Sequence, residues 1–507
     1  MIRSFSFMLI ILTINCAYIF GNSTKKVNVL FILADDGGFE MGAYRNRICQ
    51  TPNLDRLAKN GLLFNKAFTS VSSCSPSRAA LLTGMPSHQN GMYGLHQGVH
   101  HFDSFGDVRS LPQILKEHGI RTGIIGKKHV GPEAAYPFDF SETEENNSIL
   151  QVGRNITHIK LLTRQFLNNS TGQFFLYIGL HDPHRCGHTN PEYGQFCQHF
   201  GNGEPGMGLI PDWHPIYYQP DELQLPYFLP NTWQTRLDVA AQYTTISRLD
   251  QGVGLILQEL KASGHENDTL VIFSSDNGIP FPNGRTNMYD TGVQEPMVLS
   301  SPLHPQRKNQ VTNSLASLLD VVPTITDWFG IDGTEKNEPV LTGKSLLPLL
   351  VKEPADKSKE AVFGSHNLHE VTMYYPMRMV RTQRYKLIHN INYYSPFPID
   401  QDLYLSPTFQ DILNNTIMNK NTYWYKSLQQ YYTRPEWELY DLKYDPEELN
   451  NIVKKNSSSY VFKELQQRLS DWQKRTNDPW ICSPHAVFED TGSFKSNPQC
   501  LGLDNLW

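Results

Sequence analysis

The chain has 507 residues, of which 39% are apolar and 19% are charged, and its formal net charge at pH 7 is −6. This composition excludes an intrinsically disordered chain, and the ordinary glycine and proline contents exclude collagen-like and low-complexity architectures. The sequence has no block of lysine and arginine that would indicate a nucleic-acid-binding surface.

Residues 1–22 are predicted to be a signal peptide. Arg3 precedes an apolar run from Phe5 to Phe20, which is shorter than the roughly 20 residues of a membrane span and ends in Gly-Asn-Ser. We therefore expect a protein of the secretory pathway without a membrane span. Several Asn-x-Ser/Thr sequons agree with this route. The expected glycosylation sites are Asn146, Asn155, Asn267 and Asn414.

Four short apolar runs predict buried parallel strands. They are Val27–Leu33, Thr122–Ile125, Phe174–Leu180 and Leu270–Ser274. Helical patterns alternate with these strands over Thr51–Gly61, Leu111–Gly119, Gln242–Gly264 and Ser314–Phe329. This alternation predicts an α/β fold with a doubly wound, mostly parallel sheet flanked by helices.

The pattern changes after residue 350 to shorter strands, aromatic and proline-rich turns, and a final helix near Tyr460–Arg475. We predict a smaller C-terminal α+β domain with an antiparallel sheet. The expected catalytic domain covers residues 23–365 and the C-terminal domain residues 366–507, with a boundary that the sequence restricts only to about 350–380.

The chain has seven cysteines, one of which lies in the predicted signal peptide. In an oxidising compartment the others are expected to pair. Since short loops close at the lowest entropic cost, the predicted disulfides are Cys186–Cys197 and Cys482–Cys500. Cys49 and Cys74 remain, and either bond to each other or stay as buried thiols. The sequence assigns no role to Cys49.

Polar side chains follow each of the four predicted strands. They are Asp35 and Asp36, then Lys127 to His129, then His181 to His184, and finally Asp276 and Asn277. Taken alone, each group has an ordinary structural explanation, such as a turn, a helix cap or a hydrogen-bonded structural histidine. In open α/β sheets, however, ligands bind outside the carboxyl ends of the strands, so all four groups are expected to meet at one edge of the sheet.

The oxygen-bearing residues of this set favour a hard cation. Asp35, Asp36, Asp276 and Asn277 offer only oxygen ligands, as Ca²⁺ prefers. Because histidines lie nearby in the sequence, Zn²⁺ remains an alternative at this stage.

The segment around Cys74 predicts the start of a helix. Ser75 suits the N-cap and Pro76 the first helical position, which places Cys74 at the helix N-terminus. Such a helix end binds anions and lowers the pKa of a thiol. Arg78, one turn later, would share the face that carries Cys74. We expect a tetrahedral oxyanion to fit between this helix end, the cation and the basic side chains.

The motif C-x-P-x-R followed by LLTG, at residues 74–84, resembles the signature of the sulfatase family, in which the cysteine is converted to Cα-formylglycine. The Asp-Asp, G-K-x-H, D-P-H and D-N-G segments also follow the order found in that family, and Glu438–Ile452 resembles part of its second domain. The resemblance extends from about residue 28 to about residue 500. It implies an alkaline-phosphatase-like fold.

The resemblance also implies the nucleophile and the metal ligands. Cys74, as a formylglycine hydrate, would attack the sulfur atom and would also bind the metal. Asp35, Asp36, Asp276 and Asn277 would complete the site of one Ca²⁺ per subunit.

Five further side chains receive roles from the same resemblance. Arg78 and Lys127 would neutralise the charge that develops around residue 74. His129 would be the base at the hydrate, and His184 the acid that protonates a leaving nitrogen. Arg285 would hold the sulfate group.

The activity that the resemblance implies is a lysosomal sulfamidase, which removes the N-sulfate from non-reducing-end glucosamine in heparan sulfate oligosaccharides. A formylglycine-generating enzyme as maturation partner and a homodimer are implied in the same way. The alternative is an O-sulfatase of a related glycosaminoglycan, because the shared site is built for the sulfuryl group. A phosphoesterase of the wider superfamily and a non-catalytic glycan-binding homologue are disfavoured by Cys74 and by the complete set of catalytic groups. The sequence does not indicate which residues contact the sugar.

Overall fold

The computed structural model describes residues 27–187, 193–331, 341–456 and 459–502. The predicted signal peptide therefore lies outside the described residues. Within those four ranges, no helix combines the length and the apolar character that crossing a bilayer requires.

The larger sheet contains nine strands in the described part of the chain. They are β1 (Asn28–Ala34), β2 (Leu62–Phe68), β3 (Arg121–Gly126), β4 (Phe140–Thr143), β5 (Phe174–Gly179), β6 (Thr269–Ser275), β7 (Gln294–Ser300), β8 (Gln310–Thr312) and β9 (Ala316–Ser317). Their order is β4-β3-β5-β1-β6-β7-β2-β8, with β9 also paired to β2. Only β7 runs antiparallel to its neighbours. The predicted mostly parallel sheet is confirmed, and its four predicted strands are β1, β3, β5 and β6.

Helices cover both faces of this sheet. The helices of this part of the chain are α1 (Pro52–Asn60), α2 (Cys74–Thr83), α3 (Ser87–Asn90), α4 (Leu111–Glu117), α5 (Ile149–Gly153), α6 (Ile156–Asn168), α7 (Trp233–Ala262), α8 (Asp290–Val293), α9 (Val321–Phe329) and α10 (Leu347–Val351). Val29, Phe31 and Leu33 of β1 pack with α2, α4 and α9. Leu30 and Ile32, on the opposite face of the same strand, pack with α1, α6 and α7. Burial of both faces explains why β1 is apolar throughout.

Two predicted helices begin at other residues than expected. The helix predicted over Gln242–Gly264 begins nine residues earlier, at Trp233, because the Thr232 side chain caps it. The helix predicted over Ser314–Phe329 begins only at Val321, because the preceding residues form β9 and a short 3₁₀ turn. In the second case, pairing with β2 overrides the helical pattern.

The C-terminal part forms a second sheet with four antiparallel strands in the order β10-β11-β12-β13. These are β10 (Ala361–His366), β11 (Met377–Thr382), β12 (Tyr385–Asn390) and β13 (Trp437–Asp441). The predicted antiparallel C-terminal sheet is therefore confirmed. Its first strand begins at Ala361, just before the expected domain boundary at residue 366, and that boundary stays a prediction.

The remaining elements of the C-terminal part are helices and one hairpin. They are α11 (Gln401–Leu405), α12 (Pro407–Ile417), α13 (Leu428–Tyr432), α14 (Val453–Asn456), α15 (Tyr460–Arg475), β14 (Ala486–Glu489) and β15 (Gln499–Gly502). Phe462, Leu465, Leu469 and Trp472 of α15 pack against the second sheet. This amphipathic packing encloses the second apolar core.

Both predicted disulfides are present, joining Cys186 to Cys197 and Cys482 to Cys500. Cys49 and Cys74 are both buried and free, so they do not bond to each other. Among the expected glycosylation sites, Asn146, Asn267 and Asn414 are exposed and Asn155 is half-buried. Their glycosylation stays a prediction.

Candidate active site

Segments that follow β1, β3, β5 and β6 meet at one edge of the sheet, as the strand order requires. Lys127 Nζ lies 2.6 Å from Asp35 Oδ2, and His181 Nδ1 lies 2.6 Å from the same oxygen. Arg78 Nη2 lies 3.1 Å from Asp35 Oδ1 and 2.8 Å from Asp276 Oδ2. Helix α2, which carries Arg78, is thereby fixed to the segments that follow β1 and β6.

Helix α2 begins at Cys74, and its N-cap is Ser73 rather than the predicted Ser75. The Ser73 hydroxyl lies 2.8 Å from His369 Nδ1, and this tertiary hydrogen bond holds Ser73 in extended backbone conformation. Ser75 lies within the first turn, where its Oγ accepts a hydrogen bond from the His96 backbone at 2.9 Å. Pro76 accordingly lies at the third helical position and not the first.

The Cys74 thiol lies at the centre of the cluster, and its Sγ is 4.0 Å from Asp36 Oδ1. Burial raises the pKa of the thiol well above its usual value, against a lowering by the nearby Lys127 ammonium. The expectation of a lowered thiol pKa is therefore wrong, because desolvation outweighs the effect of the helix end. As encoded, Cys74 is a neutral thiol and a poor nucleophile.

The same cluster contains donors that fit a divalent cation. Ligand atoms of Asp35, Cys74 and Asp276 lie within 4.8 Å of one another. Asn277 donates from Nδ2 to Asp36 Oδ1 at 2.6 Å, and its Oδ1 is buried without a hydrogen-bond partner among the described residues. Burial raises the pKa of Asp276 to about 8, with a contribution from the Asp35 carboxylate. A divalent cation would bind the free oxygen and would relieve the repulsion between the carboxylates.

His129 provides a neutral imidazole at this edge. Its ring is buried, and Nδ1 has no hydrogen-bond partner in the described ranges. Burial lowers the pKa of His129 well below its usual value. The backbone N–H groups of Lys128 and His129 both donate to the Glu144 carboxylate at 2.8 Å, which fixes the turn that carries the ring. Lys128 itself points elsewhere, and its Nζ pairs with Glu145 at 3.1 Å.

Arg285 connects the cluster to the C-terminal part of the chain. Its Nη1 lies 2.6 Å from Asp36 Oδ2 and 3.2 Å from His184 Nε2. On its other side, Nη2 lies 2.8 Å from Asp400 Oδ2 and also contacts Asp402 Oδ1. Arg285 is thus held by three carboxylates.

Several of these residues escaped sequence analysis. Asp400 and Asp402 belong to no motif and follow no strand of the larger sheet. His369 pairs with Ser73 and lies 3.8 Å from Asp400 Oδ2. Tyr177 accepts a hydrogen bond from Arg78 Nη1 at 3.1 Å. It lies within a predicted apolar strand, and its sequence position therefore did not indicate a role in the site. Only the tertiary packing brings them to the site.

The exposure of the side chains shows where the cluster opens. Asp36, Asp276 and Arg78 have no exposed side-chain surface, whereas His184 is 17% exposed and Asp402 is 9% exposed. Asp36, Asp276 and Arg78 are therefore enclosed, and the cluster reaches the surface through His184, with Asp402 keeping a small exposed area beside it.

Comparison with protein families gives two matches. The Sulfatase family model matches residues 27–331. The model described as N-sulphoglucosamine sulphohydrolase, C-terminal, matches residues 284–423 and 415–475. Together they cover the two sheets and the residues of the site.

Two curated relatives share most of the chain. Human N-sulphoglucosamine sulphohydrolase is 58% identical over 486 residues, which cover 94% of this chain and 95% of the relative. An N-acetylglucosamine-6-O-sulfatase of Bacteroides thetaiotaomicron is 25% identical over 556 aligned positions, covering 92% of this chain and 90% of the relative.

Solved structures share the fold at lower identity. A 2-O glycosaminoglycan sulfatase has a TM-score of 0.63 and 22% identity, covering 90% of this chain and 93% of that chain. A protein solved in complex with its substrate D-glucosamine-2-N,6-O-disulfate has a TM-score of 0.61 and 21% identity, covering 90% and 99%. The predicted sulfatase-type α/β fold is confirmed by these neighbours.

Proposed function

Since the chain belongs to the sulfatase family of hydrolases, we propose that it is a sulfamidase, which hydrolyses the N-sulfate of non-reducing-end glucosamine residues in heparan sulfate oligosaccharides. The observation that carries this proposal is the 58% identity to human N-sulphoglucosamine sulphohydrolase over 94% of the chain. Identity to the bacterial 6-O-sulfatase is only 25%. This contrast favours an N-sulfatase over the alternative O-sulfatase of a related glycosaminoglycan.

Residue 74 is proposed to act as Cα-formylglycine, formed from Cys74 by a formylglycine-generating enzyme. The raised pKa of the buried thiol supports this, because an unmodified cysteine in this position would not ionise. The hydrated aldehyde would supply one hydroxyl for attack at sulfur and a second through which sulfate is expelled.

Asp35, Asp36, Asp276 and Asn277 would hold one Ca²⁺ per subunit, together with residue 74. These four side chains offer oxygen ligands, and Asn277 Oδ1 is free to bind, which supports a hard cation over Zn²⁺. When bound, the ion would polarise a sulfuryl oxygen as a Lewis acid.

The surrounding side chains would have the remaining catalytic roles. Arg78 and Lys127, fixed by their contacts to Asp35, would offset the negative charge that develops at sulfur. His129, as a neutral imidazole, would accept a proton from the nucleophile. His184, on the exposed side of the cluster, would protonate the leaving nitrogen, and Arg285 would orient the sulfate while three carboxylates hold it in position.

The cellular setting is proposed from the sequence and from the relatives. The predicted signal peptide and the sequons support transport through the secretory pathway to the lysosome. A homodimer is expected from the family resemblance.

The test of this function is sulfate release by the purified protein at acid pH. We expect turnover of N-sulfoglucosamine and little turnover of glucosamine 6-O-sulfate. Turnover of the O-sulfate alone would contradict the proposed sulfamidase and support the O-sulfatase.

A further inference from the structure

The proposed reaction creates a positive charge that hydrolysis of an O-sulfate does not create. A sulfamate, R–NH–SO₃⁻, reacts with water to give R–NH₃⁺ and SO₄²⁻ at acid pH. The S–N bond breaks, a new S–O bond forms, and both hydrogens of the water finish on the nitrogen. An O-sulfate instead releases a neutral alcohol. A sulfamidase therefore benefits from an anionic group beside the leaving atom that an O-sulfatase does not need.

We propose that Asp402 is this group: it binds the protonated amine of the released amino sugar and favours N-sulfates over O-sulfates. This inference rests on the proposed function. Asp402 Oδ2 lies 4.0 Å from Nε2 of His184, the side chain proposed to protonate the leaving group. Both side chains keep some exposed surface, unlike Asp36 and Arg78, so a sugar whose sulfate contacts those buried groups would lie on the side of His184 and Asp402.

Of the two carboxylates that contact Arg285 from the C-terminal part, only Asp402 is suited to an ammonium group. Asp400 is buried and uses Oδ1 to cap α11 at the Leu403 N–H, while its Oδ2 accepts hydrogen bonds from Arg285. Burial also raises the pKa of Asp400 to about 8, so that it is neutral at acid pH. Although burial opposes ionisation of Asp402, Arg285 and His184 hold the pKa of Asp402 below its usual range.

Three carboxylates share the single guanidinium of Arg285 at this end of the pocket. They are Asp36, Asp400 and Asp402, and of these Asp402 also lies near His184 on the side with exposed surface. Arg78 and Lys127 lie at the opposite end, against Asp35. The pocket therefore offers cations to the sulfuryl group and an anion to the nitrogen.

The two family models match different parts of the chain, and Asp402 lies in only one of those parts. The Sulfatase model ends at residue 331, so Asp402 lies outside it. Asp402 lies within the match to the model described as N-sulphoglucosamine sulphohydrolase, C-terminal. The carboxylate thus belongs to the part of the chain that distinguishes this branch of the family.

The experiment compares product inhibition of the full-length enzyme with Asp402→Asn. Glucosamine carries the ammonium group, N-acetylglucosamine lacks it, and inorganic sulfate probes the buried groups of the site. We expect Asp402→Asn to weaken inhibition by glucosamine roughly 10- to 100-fold, as for the loss of a hydrogen bond between charged groups. Inhibition by N-acetylglucosamine and sulfate should change by less than about threefold, and Asp402→Glu should recover part of the glucosamine affinity.

Asp400→Asn is the matched control, since it also removes a carboxylate from Arg285. In Asp400→Asn, the inhibition constants of glucosamine and of sulfate should change by the same factor. Unchanged glucosamine affinity in Asp402→Asn, or equal losses for glucosamine and sulfate, would overturn the inference while the proposed function stands. A wild-type enzyme that cleaves only O-sulfates would overturn the proposed function itself.

Discussion

The guanidinium of Arg78 lies 2.8 Å from the carboxylate of Asp276, and neither side chain has exposed surface. This ion pair joins the second turn of α2 to the residue that follows β6. It therefore fixes the position of residue 74 relative to the candidate metal ligands.

Removal of Arg78 should affect both stability and activity. Arg78→Ala leaves the buried Asp276 without its ion-pair partner and removes one of the two cations beside Asp35, which costs about 3–5 kcal/mol of unfolding free energy. Chemical denaturation measures this loss. The control is Arg384→Ala, because the Arg384 side chain is 46% exposed in its pair with Asp441 and should contribute less than about 1 kcal/mol. Equal effects of the two substitutions would contradict the structural role of Arg78.

Two adjacent lysines offer a sharp test of charge stabilisation. Lys127 contacts Asp35 in the site, whereas Lys128 points away to Glu145. Lys127→Gln should lower kcat roughly 10²- to 10³-fold, since it removes a fixed positive charge. Lys128→Gln should leave kcat within about threefold. Steady-state kinetics on N-sulfoglucosamine distinguishes the two, and a larger loss in Lys128→Gln would contradict the assigned orientation.

Calcium should stabilise the wild-type fold and not the fold of Asp276→Ala. A ligand that binds only the native state stabilises it by about 2.7 kcal/mol at 100 times its Kd. Thermal denaturation with EDTA and with Ca²⁺ measures the stabilisation as a rise in Tm. Asp107→Ala, at an exposed aspartate, should show the same calcium-induced rise in Tm as the wild type. A calcium-induced rise in Tm that persists in Asp276→Ala would refute the ligand assignment.

The buried His88 should make the fold less stable in acid. Its Nδ1 and Nε2 lie 2.8 Å from the hydroxyls of Ser365 and Thr476, and burial lowers its pKa to about 3. Because the unfolded chain binds a proton near pH 6.5, stability falls as the pH decreases from there towards 3. At pH 4.5, the titration of His88 lowers the free energy of unfolding by about 2–3 kcal/mol.

The variant His88→Gln tests this contribution. It should lower stability at pH 7 through the altered hydrogen bonds, and it should reduce the further loss between pH 7 and pH 4.5. Urea denaturation at the two pH values gives the difference. An identical pH-dependent loss in wild type and variant would show that His88 does not titrate on unfolding.

The sequence predicted the parallel centre of the sheet because each of its strands is continuously apolar. It did not predict β2 or β7. Asn65 and Lys66 interrupt the apolar run of β2 at an irregularity in its pairing, and β7 contains Glu295 and Pro296, residues that usually disfavour a strand. Antiparallel pairing of β7 between β6 and β2 overrides these local preferences.

The candidate site was predictable where its residues follow strands or belong to the cysteine motif. Asp35, Lys127 and Asp276 are of this kind. Asp402 was not, because only the packing of the C-terminal part against the larger domain brings it to Arg285. The pKa of Cys74 was also predicted in the wrong direction, since local sequence reveals a helix end but not the extent of burial.

The mass of the peptide that contains residue 74, taken from purified enzyme that releases sulfate from N-sulfoglucosamine, tests the proposed nucleophile most directly. If residue 74 is formylglycine, the peptide is lighter than the encoded one, with an aldehyde in place of the thiol. A fully active enzyme in which Cys74 retains its sulfur would contradict this proposal.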